Sequence, residues 1–122
     1  MVDDFHDYRK KYKSQIKDAV HFIRKNYVTK IKLKQISKSA ALSMFHFSRI
    51  FKTVTRMTPF EYVTRRRIAR AKELLLMTDV PITEISFDIG FESMTTFSNL
   101  FKKRVGMSPS EFRKRYKKRR KI

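Results

Sequence analysis

The chain has 122 residues, 41% of them hydrophobic, and its 30 Lys and Arg against 11 Asp and Glu give a formal net charge of +19. That length fits one compact domain or two very small ones, and so large an excess of cations favours an anionic partner, nucleic acid ahead of a charged membrane surface. The absence of Cys excludes disulfides and thiolate zinc sites, and His6, His21 and His46 lack any metal-ligand spacing.

The acidic start Met1-Val-Asp-Asp is unlike a secretory signal, and the longest aliphatic run, Leu74 to Met77, is far short of a membrane span. The chain is therefore expected to be soluble and cytoplasmic, with no cofactor, no metal and no membrane partner.

With two Gly and three Pro, the chain carries little punctuation, and no useful length of it alternates with period two, so an all-α fold of seven helices is expected. The first is predicted from Tyr8 to Asn26, with Tyr12, Ile16, Ala19, Val20 and Ile23 on one face. A short second helix covers Leu33 to Ala40. Ser43 is placed to cap a third reaching Thr55, with Phe47, Ile50, Phe51 and Val54 at core spacing. Thr58-Pro59-Phe60-Glu61 combines a capping hydroxyl, Pro in the first turn and Glu three residues after the cap, and opens a long fourth helix that ends near Met77. A short fifth follows from Ile82 to Ile89, with Gly90 at the turn. Ser93 caps a sixth to Val105, and Ser108-Pro109-Ser110-Glu111 caps the seventh.

The later helices repeat the earlier ones. Phe47-Ser-Arg-Ile-Phe-Lys52 returns as Phe97-Ser-Asn-Leu-Phe-Lys102, and Met57-Thr-Pro-Phe-Glu-Tyr62 as Met107-Ser-Pro-Ser-Glu-Phe112, both fifty residues on. The short helices Leu33-x-x-Ile36 and Ile82-x-x-Ile85 are offset by forty-nine, so one residue is gained in the second turn. A short helix, a turn and a longer helix make a helix-turn-helix unit, and two copies in a basic chain suggest one binding device used twice on a regularly spaced polyanion. The expected division is a first helix-turn-helix lobe over 1–57, a linker helix over 58–78, a second lobe over 79–116 and a basic tail over 117–122.

The run Ile82-Thr-Glu-Ile-Ser-Phe-Asp-Ile-Gly-Phe91, followed by Phe97-x-x-x-Phe101-Lys102 and Gly106-Met-Ser-Pro-x-Glu-Phe112, resembles the C-terminal signature of the AraC/XylS family of bacterial transcription regulators. Ser43, Arg49, Phe51-Lys52, Pro59, Tyr62 and Arg67-Ile-Ala-Arg-Ala-Lys-Glu-Leu-Leu75 extend the resemblance to the first copy, so that it covers roughly residues 12 to 116. It implies two helix-turn-helix lobes on one long helix, binding two successive major-groove segments of double-stranded DNA. A helix from Pro59 to Thr78 would be about 30 Å long, close to the roughly 34 Å between such segments. The first copy departs from the pattern at Arg56, which stands where the second has Gly106. A backbone there with positive φ would cost Arg about 1 kcal/mol.

Stepping 100° per residue from Phe47 puts Phe45, Ser48, Arg49, Lys52 and Arg56 on the outer face of the third helix. The same construction from Phe97 puts Thr95, Ser98, Asn99 and Lys102 outward on the sixth. Phe45, Ser48, Arg49, Thr95, Ser98 and Asn99 are the candidate base readers. Arg49 has the planar fork for guanine, Asn99 the amide for adenine, and Phe45 an apolar edge for a thymine methyl or a sugar. Ser43, Lys52, Arg56, Ser93, Lys102 and Lys103 are candidate phosphate contacts.

No Lys or Arg occurs from Glu73 to Phe101, whereas eight basic residues lie between Arg113 and Lys121. The first lobe is therefore expected to supply most of the base readout, with the tail from Lys117 acting as a non-specific phosphate clamp. RNA polymerase, facing the acidic short helix with Glu84 and Asp88, and an N-terminal sensor or dimerisation domain are further candidate partners. A charge-driven RNA binder leaves the paired units without a use, and no acid pair, nucleophile–base set or phosphate loop supports an enzyme.

Overall fold

The computed structural model describes residues 4–118, and the side chains of residues 8–118. Among them all regular structure is helical, in the order α1 (Asp4–Lys11), α2 (Lys13–Asn26), α3 (Leu33–Ser39), α4 (Met44–Thr55), α5 (Pro59–Met77), α6 (Ile82–Asp88), α7 (Met94–Val105) and α8 (Pro109–Tyr116). There are eight helices where the sequence suggests seven, because the first breaks at Tyr12.

Neither Gly nor Pro marks that break. Tyr12 takes φ −109° and ψ 20°, yet its N–H still donates to Tyr8 O at 2.8 Å and its carbonyl accepts from Ile16 N at 2.9 Å. The Tyr12 ring stands edge-on to Tyr8 (5.8 Å) and to His46 of α4 (5.6 Å). The break is thus a change of backbone angles at one residue that keeps the hydrogen bonds across it, and periodicity along the helix does not reveal it.

The chain forms two compact units, Met1–Arg66 and Arg67–Ile122, and the division falls inside α5. The first unit is built around Ile16, Ala19 and Ile23 of α2, Ile36 of α3, Phe47, Ile50 and Phe51 of α4, and Val63 of α5. The second is built around Ile68, Ala71 and Leu75 of α5, Ile85 of α6, Phe97 and Phe101 of α7, and Phe112 of α8. The same aromatic arrangement recurs in both. Phe47 meets Phe51 at 5.4 Å and Phe51 meets Tyr62 edge-on at 6.0 Å. Phe97 meets Phe101 at 5.7 Å and Phe101 meets Phe112 edge-on at 5.5 Å. Each fully buried Phe contributes about 2–3 kcal/mol, so these ring pairs anchor their units.

The turns repeat at the level of single hydrogen bonds. After α3, Ala41 N donates to Lys38 O (3.0 Å) and Leu42 N to Ser37 O (3.1 Å); after α6, Gly90 N donates to Phe87 O (3.1 Å) and Phe91 N to Ser86 O (3.0 Å). This is the paired bonding that satisfies orphan carbonyls when the residue past the helix is left-handed. Ala41 accordingly has φ 56° and Gly90 φ 104°. Ser37 and Ser86, whose carbonyls accept the bonds from Leu42 and Phe91, are buried. Their hydroxyls donate one turn back, to Lys34 O (3.1 Å) and Thr83 O (2.6 Å), which removes the cost of burying them.

Candidate nucleic-acid interface

Both longer helices of the helix-turn-helix units begin with a serine cap in extended backbone. Ser43 Oγ accepts from His46 N at 3.2 Å and Ser93 Oγ from Thr96 N at 3.1 Å. A cap fixes where the helix starts, and hence which side chains share its outer face. On α4, Phe47, Ile50 and Phe51 are buried, while Phe45, Arg49, Lys52 and Arg56 are exposed and Ser48 is half-buried beside them. On α7, Phe97 and Phe101 are buried, Thr95, Asn99, Lys102 and Lys103 are exposed, and Ser98 is half-buried. The fold therefore groups the sequence-predicted residues of each copy on one accessible helix face within its own unit. Leu100 is half-buried against the second core, and Arg104 is exposed.

The two faces differ in chemistry. Phe45 is 75% exposed, and the Arg49 guanidinium lies 5.8 Å from its ring centre. A cation over an aromatic face is attracted to it and loses some of its freedom before any ligand arrives. The equivalent positions in α7, Thr95 and Asn99, form no such pair. They offer hydroxyl and amide groups, with the cations Lys102 and Lys103 at the far end of the helix.

Both helices end in left-handed backbone. Arg56 has φ 65° and Gly106 φ 93°, and each donates its N–H at 2.8 Å, to Lys52 O and Lys102 O respectively. The next helix follows at once: Thr58 Oγ1 accepts from Glu61 N and Ser108 Oγ from Glu111 N, both at 3.1 Å. Thr58 and Ser108 are thus the caps that the sequence pattern predicts.

Several basic residues have structural partners instead. Arg113 of α8 donates through Nε to Leu75 O (3.1 Å), through Nη1 to Val80 O (2.7 Å) and through Nη2 to Leu74 O (3.4 Å) and Thr78 O (3.1 Å). Lys117 donates to Thr78 O at 2.8 Å and pairs with the Asp79 carboxylate. These two cations close the carbonyl end of α5. Lys117 is therefore a corrected member of the expected free tail, of which residues 119–122 lie outside the described residues. Arg67 sits over the Phe91 ring at 5.4 Å, and burial pushes its guanidinium below the usual arginine range.

A feature the sequence reading missed lies beside α4. Phe60 in the first turn of α5 is 47% exposed, and with Leu33, Phe45 and Pro59 it lines an open apolar groove of about 590 Å³, bordered by Arg49 and Lys52. The available signal was the repeat itself. At the matching places the second copy has Ser110 and Thr95 where the first has Phe60 and Phe45.

Among the described residues there is no cluster of His, Asp and Glu suited to a metal ion, and no helix is long and apolar enough to cross a membrane.

Residues 36–115 match a family model described as a helix-turn-helix domain. The chain is 31% identical over 100 residues to the regulatory protein SoxS of Escherichia coli (strain K12), covering 82% of this chain and 94% of SoxS. It is 37% identical over 102 residues to the uncharacterized HTH-type transcriptional regulator YdiP of the same organism, covering 84% of this chain and 34% of YdiP, so it spans about a third of that relative's length. The C-terminal domain of AraT, a response regulator from Geobacillus stearothermophilus, superimposes with a TM-score of 0.84 at 28% identity, over 88% of this chain and 90% of that one. The DNA-binding domain of AdpA, a global transcriptional factor solved in complex with a target DNA, shares the fold with a TM-score of 0.79 at 23% identity, over 83% and 91% of the two chains.

Proposed function

The chain belongs to the AraC/XylS family of helix-turn-helix regulators and is a DNA-binding transcription regulator; from that premise we propose that it reads one duplex site by laying α4 and α7 in successive major-groove segments. The observation that carries this reading is the repeated face: a serine-capped helix, polar or cationic at the same steps, over the same buried aromatic pair. A capped helix with an exposed, cation-bearing face fits the major groove, where base edges present distinct donor and acceptor patterns.

In this reading Arg49 pairs with guanine O6 and N7, Asn99 with adenine, and Phe45, Ser48, Thr95 and Ser98 touch neighbouring base edges. Ser43, Lys52, Arg56, Ser93, Lys102 and Lys103 hold phosphates and set the register. The first unit does most of the sequence reading, because its face carries the aromatic-supported guanidinium. Bound to the chromosome in the bacterial cytoplasm, the chain acts as one copy per site. A second contact runs from α6 to RNA polymerase, supported by Phe87, 51% exposed, between Glu84 and Asp88. Effector control enters through an additional sensor or dimerisation domain, a reading supported by the greater length of YdiP. Family members of this kind are DNA-binding regulators, and no catalytic step is assigned to the chain.

The test is selection of bound duplexes from a random pool of about 25 base pairs, at salt high enough to suppress non-specific binding. One asymmetric motif with two blocks about 10 base pairs apart is the expected result. Tight low-salt binding with no enriched sequence would overturn the reading in favour of a charge-driven binder.

A further inference from the structure

The apolar groove beside α4 stands out on a unit rich in Lys and Arg. Phe45, Phe60, Leu33 and Pro59 give it its apolar lining, which it shares with Arg49 and Lys52. Exposed aromatics that serve only the fold are hard to explain here, since the core of this unit already contains Phe47 and Phe51 at zero exposure. Neither aromatic wall is required by the repeat either. The second unit forms the same turn and the same capped helices with Thr95 and Ser110 in their places. The two Phe are therefore additions to the surface of the first unit.

We propose that this groove takes the 5-methyl group of a thymine next to the base read by Arg49, with Phe60 as a specificity-determining residue. The inference rests on the DNA-reading role of α4. The cationic border admits a polyanion and disfavours a neutral apolar ligand. Among the groups a major groove exposes on its base edges, the thymine methyl is the apolar one. Phe45 is 75% exposed, so a methyl resting on it alone stays largely in water. Phe60, in the first turn of α5, lines the same groove and adds apolar surface for the methyl. The second unit, with Thr95 and Ser110, has no aromatic side chain at either place and offers a thymine there the Thr95 γ-methyl alone.

The experiment replaces each thymine of the selected site singly with deoxyuridine, which removes the methyl and leaves the pairing edge intact. The wild-type chain is expected to lose about fourfold in affinity at one thymine of the first-unit block, the value of one buried methyl. Phe60→Ser, which installs the residue of the second unit, removes most of that sensitivity and keeps the preference for guanine at the Arg49 position. Phe60→Leu retains part of it. Both variants should remain fully folded under the binding conditions, as a denaturation curve checks, because they give up only the buried half of the Phe60 ring.

Equal affinity for thymine and uracil throughout the block overturns the proposal, as does full methyl sensitivity in Phe60→Ser. A single ribonucleotide that weakens binding where deoxyuridine does not would show that the groove holds a sugar instead, and would also overturn it. Failure to enrich any site would overturn the DNA-reading role itself and this inference with it. An enriched site that is indifferent to the methyl would leave that role standing.

Discussion

Arg56 and Gly106 occupy the same step of the repeat, each one residue past the end of its helix, and both hold the left-handed backbone with φ 65° and 93°. Ala41 and Gly90 stand in the same relation one turn earlier, at φ 56° and 104°. In the first unit both positions carry a side chain, and in the second both are glycine. A left-handed residue with a Cβ costs roughly 1–2 kcal/mol, partly offset by the greater freedom glycine loses on folding.

Arg56→Gly should therefore raise the stability of the first unit by about 0.5–1 kcal/mol, as should Ala41→Gly. Gly106→Ala should lower that of the second by about 1 kcal/mol or more. A Cβ at Gly106 would meet nothing within 4 Å, so the penalty there is purely one of backbone conformation. Urea denaturation followed by circular dichroism measures all three. A destabilised Arg56→Gly chain would mean that its side-chain contacts outweigh the strain.

Arg113→Ala leaves Leu75 O and Val80 O without their side-chain donor, while Leu74 O and Thr78 O keep others, and should destabilise the second unit by about 1–3 kcal/mol. Arg113→Lys should recover only part of this, since an ammonium cannot reproduce a planar fork. Hydrogen exchange at the amides of residues 67–116 reads the loss directly, and protection unchanged from wild type would rule the anchoring role out.

On DNA, Arg49→Ala should cost about 1–3 kcal/mol and relax the preference at one base pair. Lys102→Ala should weaken all sequences alike and reduce the salt slope by about one. Competition binding against a panel of single-base variants separates the two effects. If Asn99→Ala relaxed specificity more than Arg49→Ala, the second unit and not the first would be the main reader.

A chain ending after Lys117 loses the cations Lys118, Arg119, Arg120 and Lys121. It should bind every sequence more weakly and with a shallower salt dependence, while its preferred site and its unfolding midpoint stay unchanged. A chain ending after Tyr116 also loses the Lys117 bonds to Thr78 and Asp79 and should be less stable as well. A shifted sequence preference after either truncation would show that the tail reads bases.

The periodic apolar positions, the Ser–Pro–x–Glu starts and the internal repeat place helices α3 to α8 within about a residue of where they form, because caps and core faces are local signals. The repeat also exposes the candidate faces of α4 and α7, since a buried Phe every fourth residue fixes what must point away. What the chain hides is set by partners distant in sequence. Tyr12, where the first helix breaks, packs its ring against His46 of α4, and Arg113 in a basic run looks like any solvated cation until the end of α5 is packed beneath it. Phe60 stands out in the sequence only as a helix-start residue, and its groove exists because α3, α4 and the first turn of α5 meet around it.

The bonds from Arg113 and Lys117 to Thr78 and Val80 also bear on the order in which the protein can be made. Sequence separations of 33 to 39 residues mean that the latch on the carbonyl end of α5 leaves the ribosome well after the carbonyls it closes. Residues up to 66 hold a complete core of their own well before then. During synthesis there is accordingly an interval in which the first unit can already fold while the second still waits for its closing arginine. In that interval the nascent chain has the α4 face but lacks a finished α7 support, and any DNA it met would be held by charge and by one reader alone.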